Sequence, residues 1–149
     1  MPPLLAARCV ALAAATTLAA GCGGGGGSSS EDSVRETVGA YFTALSDRDF
    51  AEACERVSPD FKLRLVGFAE RAYPDLDSNE CVVIAERIAT SGGDRLVGLQ
   101  SRVRVRSVEA EEDRATAQLG PGQVARLQRI EGDWLIDELD FSGATGNSP

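Results

Sequence analysis

Two hydrophobic rhythms divide the chain. From Val34 onward apolar residues recur three or four positions apart, as in Val34, Val38, Tyr41, Phe42 and Leu45, which is the spacing of one face of a helix. Ser33 with Glu36 has the form of a capping box, so this first helix is predicted to open at Ser33 and to break at Ser46-Asp47-Arg48. Asp49 with Glu52 repeats the signal ahead of a short second helix, Phe50 to Val57. Ser58-Pro59 reads as the N-cap and first position of a third, whose Phe61, Leu65, Phe68 and Ala72 share a side until Tyr73-Pro74. Asp77 with Glu80 leads a fourth helix, Glu80 to Ala89, carried by Cys81, Ile84, Ala85 and Ile88 and stopped by Ser91-Gly92-Gly93.

Beyond the glycines the period shortens to two. Arg102-Val103-Arg104-Val105-Arg106 alternates strictly, Ala115 to Leu119 follows the acidic turn Glu109 to Asp113, and Gln123 to Ile130 follows Gly120-Pro121-Gly122. Glu131-Gly132-Asp133 turns the chain into Trp134-Leu135-Ile136, with Leu139 and Phe141 beyond, and Leu96 to Leu99 is a weaker strand candidate. Helices first and a meander of strands after predict an α+β fold, the N-terminal helices packed on one face of an antiparallel β-sheet.

The start of the chain follows neither rhythm. Residues 9–20 contain no charged side chain and follow Arg8, which is an export signal in outline. A helix over that run would rise only about 18 Å against a hydrocarbon core of roughly 30 Å, so cleavage is expected rather than a permanent span. Gly23 to Ser30 is glycine and serine throughout, a tether spanning roughly 15 Å as a flexible coil. The resulting division is a signal peptide at 1–21, a tethering segment at 22–30, a domain at 31–141 and a disordered tail at 142–149.

The junction Leu18-Ala19-Ala20-Gly21-Cys22 resembles the lipobox of bacterial lipoproteins, with leucine one residue earlier than its usual place. The resemblance implies cleavage before Cys22, attachment of diacylglycerol to its thiol, and a domain held at a membrane outside the cytoplasm. The alternative is a plain secretory signal that leaves Cys22 an ordinary thiol. Two acyl chains would make the attachment stable, each buried methylene contributing about 0.8 kcal/mol.

Composition narrows the chemistry. The net charge is −8, and Arg8 is the only charged residue before Cys22, so the folded part is acidic and repels polyanions such as nucleic acid. There is no histidine, which removes the commonest general base and metal ligand. The carboxylates lack the spacing of an oxygen-ligand loop, so no metal and no cofactor are expected. Cys54 and Cys81 are the two cysteines of the domain, and in an oxidising compartment a disulfide is their natural pairing. A redox or nucleophilic thiol and two buried free thiols are the alternatives. Arg102, Arg104 and Arg106 form a basic row, either a solvated strand face or a surface for lipid headgroups or an acidic partner.

Tyr41-Phe42-Thr43-Ala44-Leu45-Ser46-Asp47-Arg48-Asp49-Phe50 and the closing Leu127-Gln128-Arg129-Ile130-Glu131-Gly132-Asp133-Trp134-Leu135-Ile136 resemble the two ends of domains similar to nuclear transport factor 2, a family that includes the SnoaL-like polyketide cyclases. The resemblance implies helices packed into a curved antiparallel sheet and a cone-shaped pocket, which Tyr41, Phe42 and Trp134 would line. Family members usually have an early strand between the helices, whereas residues 58–92 here read as helical, which implies a smaller sheet. Pairing through the outer sheet face into a homodimer is common in that family. Tyr73 and Asp137 are further pocket candidates, but Asp137 alternates away from Trp134 and Ile136, which predicts a solvent-facing side chain, and none of these residues stands in a catalytic motif. The expectation is a membrane-anchored, non-catalytic module for a small apolar ligand or an envelope protein. A SnoaL-like isomerase or cyclase using a pocket carboxylate, and a purely structural envelope domain, are the alternatives.

Overall fold

The computed structural model describes residues 29–100 and 102–141, with residues 93–100 described by backbone alone. The expected signal peptide, Cys22 with most of its tether, and the expected tail lie outside the described residues. Four helices precede four strands: α1 (Ser30–Asp47), α2 (Phe50–Glu55), α3 (Pro59–Ala72), α4 (Cys81–Gln100), β1 (Ser107–Ala110), β2 (Arg114–Gly120), β3 (Gln123–Ile130) and β4 (Asp133–Asp140). The fold is α+β. Its strands form one open antiparallel sheet in the order β1-β2-β3-β4.

Helix α1 opens a full turn earlier than Ser33. The Ser29 hydroxyl accepts from the Asp32 backbone N–H (3.2 Å) and donates to the Asp32 carboxylate (2.8 Å), so Ser29-x-x-Asp32 is the cap that operates. Glu31 and Asp32 then sit in the first turn, where the helix dipole favours negative charge. Ser29 is therefore the N-cap of the helix and Ser30 its first residue, although sequence alone puts both before the domain. Arg48 ends α1 in the left-handed region (φ 60°), returning its N–H to the carbonyls of Ala44 and Leu45.

Asp49 and Ser58 cap α2 and α3 as expected, their side chains accepting from the N–H groups of Glu52 and Phe61. Helix α2 is shorter than expected, because Val57 leaves it to form a parallel bridge with Ile136. The N–H of Ser58 donates to the Ile136 carbonyl and the N–H of Ile136 to the Arg56 carbonyl, both at 2.8 Å. The α2–α3 corner thus covers part of the free edge of β4. At the fourth helix the Glu80 N–H bonds the hydroxyl of Ser78 (3.2 Å), in place of the expected Asp77 cap. The backbone then stays helical through Gly92-Gly93 to Gln100, so neither the stop nor the strand at Leu96 to Leu99 is found. Two glycines cost about 1 kcal/mol each inside a helix, a bias that propagation from the preceding turns overrides.

The basic row forms no strand of its own. Val103 and Val105 pack against the core while Arg102, Arg104 and Arg106 are exposed, so the alternation reports one-sided burial. The Arg106 backbone N–H donates to the Gln118 carbonyl at 2.7 Å, but the paired ladder begins only at Ser107. Within the sheet Ala115, Ala117, Leu119, Ala125, Leu127, Trp134 and Ile136 are buried, and they form one core with Val34, Val38, Tyr41 and Phe42 of α1. Ala117 pairs with Ala125 at the sheet centre, and both are fully buried. Glu131 (φ 54°) and Gly132 (φ 99°) make the tight turn between β3 and β4.

Candidate functional site

Cys54, near the end of α2, and Cys81, the first residue of α4, form a disulfide with Cα atoms 6.1 Å apart. Between them lie α3 and its following loop. The bond joins two helices that also touch directly and closes a loop of 27 residues' separation, for which the chain-entropy relation gives about 3.5 kcal/mol. Only Ala69 of α3 is fully buried, so this closure supplies much of what holds that helix in place.

The three residues expected to line one pocket are all in the core, and among the described cavities Phe42 and Trp134 border different ones. Tyr41 and Phe42 meet edge to face with ring centroids 5.1 Å apart. Tyr41 is buried, which pushes its phenol above the usual value of 10.0 by desolvation. Phe42 forms part of the floor of a groove of about 480 Å³ between α1 and residues 103–105. Trp134 borders a different groove, of about 440 Å³, beside Glu36, Arg56 and Asp133. The Arg129 guanidinium lies 5.6 Å from the Trp134 ring, and the indole N–H is buried without a partner. Tyr73 stacks under Arg87, which is also paired with Asp75 at 2.7 Å, and so ties the loop after α3 to α4.

Asp137 departs from the expected alternation. Arg126 pairs with Glu138 and Leu127 with Ile136, which leaves Asp137 as the extra residue of a β-bulge. Instead of facing solvent freely, its carboxylate accepts from the buried Ser58 hydroxyl at 2.6 Å and lies 3.4 Å from the Arg64 guanidinium. Arg64 also donates to the Asp137 carbonyl. This carboxylate borders a polar cleft of about 520 Å³ shared with Glu109, Arg114, Arg126 and Glu138.

Among the described residues no three histidine, cysteine, aspartate or glutamate side chains are placed to hold a metal ion, and no helix is long and apolar enough to cross a membrane. Sequence reasoning passed over the groove beside α1, whose only charged lining residues are Arg35 and Arg104. The available signal was Gly39, a glycine in the middle of a stretch with helical spacing. No protein-family model, curated protein or solved structure matches the chain.

Proposed function

We propose that the chain is an exported lipoprotein, anchored outside the cytoplasm by lipid on Cys22, whose domain is a non-catalytic module for a small ligand or an envelope protein. The observation that carries this reading is the disulfide between Cys54 and Cys81, because such bonds persist in oxidising compartments and are rare in the cytosol. It agrees with the export signal and lipobox resemblance at the start of the chain. Helices laid on an antiparallel meander, closed by the Gly-Asp turn before Trp134, support a relationship to domains similar to nuclear transport factor 2.

The candidate acid and base groups favour binding over catalysis. The Tyr41 phenol is held protonated by its burial, and the Asp137 carboxylate is engaged by Ser58 and Arg64. The grooves beside α1 and around Trp134 are within the size range of small-molecule clefts.

Mass spectrometry of the membrane fraction tests the anchor. The expected mature chain begins at Cys22 and carries diacylglycerol, and Cys22→Ala releases the protein from the membrane; a variant that stays bound refutes the anchor. Native mass spectrometry of the protein taken from its own cells tests the module, with a co-purifying ligand or partner as the expected result.

A further inference from the structure

Helix α3 carries more apolar side chain than the fold covers. Phe61, Leu65, Phe68 and Ala72 recur at helical spacing, yet none of the four is buried, and Ala69 is the one residue of the helix that is. Against β4 the helix leaves a cleft of about 270 Å³ lined by Phe61, Arg64, Leu65, Phe68, Glu138 and Leu139. Among the described residues the exposed large apolar side chains are Leu63 (70%), Phe68 (44%), Val82 and Phe141. Two of these stand on α3, and Phe141 directly follows β4, on which α3 packs.

The charge of α3 also differs from that of the chain. Lys62, Arg64 and Arg71 outnumber Asp60 and Glu70, a net of +1 on a chain of net charge −8. Leu63, Gly67 and Arg71 succeed one another at one-turn intervals, so a strip of the helix runs from an exposed apolar side chain to an exposed cation. Arg71 takes part in no ion pair among the described residues. Exposed apolar side chains beside arginine are what an interfacial helix presents to a bilayer, the apolar groups entering the acyl boundary and the guanidinium reaching back to phosphate.

Reach selects the occupant. Seven residues, Gly23 to Ser29, lead from Cys22 to α1, and a chain of that length spans at most about 25 Å. A domain of this size is about 35 Å across, so lipid on Cys22 would keep most of its surface within touching distance of the bilayer. The membrane surface is then the partner at the highest effective concentration.

We propose that α3 docks on the lipid surface to which the chain is anchored, with Leu63 and Phe68 entering the acyl boundary and Arg71 meeting headgroup phosphates. The proposal rests on the reading of Cys22 as the lipid-bearing anchor and adds which face of the domain meets the membrane.

The test is photolabelling of the mature full chain in phosphatidylcholine vesicles containing one quarter phosphatidylglycerol and a trace of phosphatidylcholine with a diazirine in its acyl chain. Adducts are expected on residues 61–72. Leu63→Glu/Phe68→Glu should lower them about tenfold, and Arg71→Gln about threefold. Leu63→Glu alone, at the most exposed of these side chains, should lower them about threefold with the urea midpoint of the parent, which separates lost docking from unfolding. Every variant should stay on the vesicles through Cys22. Adducts spread evenly over the domain or confined to residues beside Cys22, undiminished adducts in these variants, or crosslinks joining α3 of two copies in place of lipid adducts would overturn the docking and leave the anchor standing. A mature chain without diacylglycerol on Cys22 overturns both, and its mass distinguishes that result from the others.

Discussion

Ser58 shows how much one side chain can join. It is 1% exposed, its hydroxyl caps α3 through the Phe61 N–H (3.0 Å), and the same hydroxyl donates to Asp137 in the bulge of β4. Ser58→Ala removes the cap and leaves a partly buried carboxylate short of a donor, and the expected cost is about 2 kcal/mol. Asp137→Asn keeps an acceptor for the same hydroxyl and should cost about half as much. Urea unfolding at neutral pH measures both, and an Asp137→Asn loss as large as that of Ser58→Ala would show that the charge of Asp137, not the cap, matters. Tyr41 governs the alkaline limb. Burial raises its folded-state pKa above that of the unfolded phenol, so its contribution is intact below about pH 10 and is lost as pH rises through the folded value. The unfolding midpoint of Tyr41→Phe should fall less between pH 9 and pH 11 than that of the parent, and parallel curves would refute the assignment.

At the scale of elements, α3 is the least embedded helix described in full. Leu63 and Phe68 on it are 70% and 44% exposed, and its attachments are the Ser58 corner, packing on α4 and β4, and the loop closed by the disulfide. Reduction of Cys54–Cys81, or a Cys54→Ala/Cys81→Ala chain, should lose amide-exchange protection first in α3, while β2 and β3 keep theirs. Simultaneous loss everywhere would mean that the bond stabilises the domain as a single unit. The same contrast explains what sequence could reveal. Caps at Asp49 and Ser58, the strand Gln123–Ile130 and its two turns depend on neighbours a few residues away, so local pattern located them. The Ser29 cap was obscured because Ser28-Ser29-Ser30 continue a glycine-serine run in sequence up to the helix start. The continuation of α4 past two glycines, the Val57 bridge and the bulge at Asp137 are decided by partners distant in sequence, and no local period encodes those. The groove beside α1 was hidden for the same reason: Gly39 is visible in the chain, but Arg104 is brought opposite it only by the fold.

For the whole molecule, place and stability are coupled through one bond. A domain of this size has a net stability of about 5–15 kcal/mol, of which a disulfide worth about 3.5 kcal/mol is a large share. On the proposed reading of residues 1–21 as an export signal, that segment delivers the chain to the compartment where Cys54 and Cys81 can oxidise. A chain lacking residues 1–21 would fold in reducing surroundings without that contribution, and its larger unfolded fraction would be open to proteases. Pulse-chase should therefore give the leaderless chain a shorter half-life than the exported one, with Cys54→Ala/Cys81→Ala exported at a similarly reduced level. Adding the double substitution to the leaderless chain should change nothing further, because the bond it removes was never formed there. A leaderless chain as long-lived as the exported protein, with both thiols free to alkylating reagent, would show that the domain is stable without its bridge and would remove the link between oxidation and location on which the export reading leans.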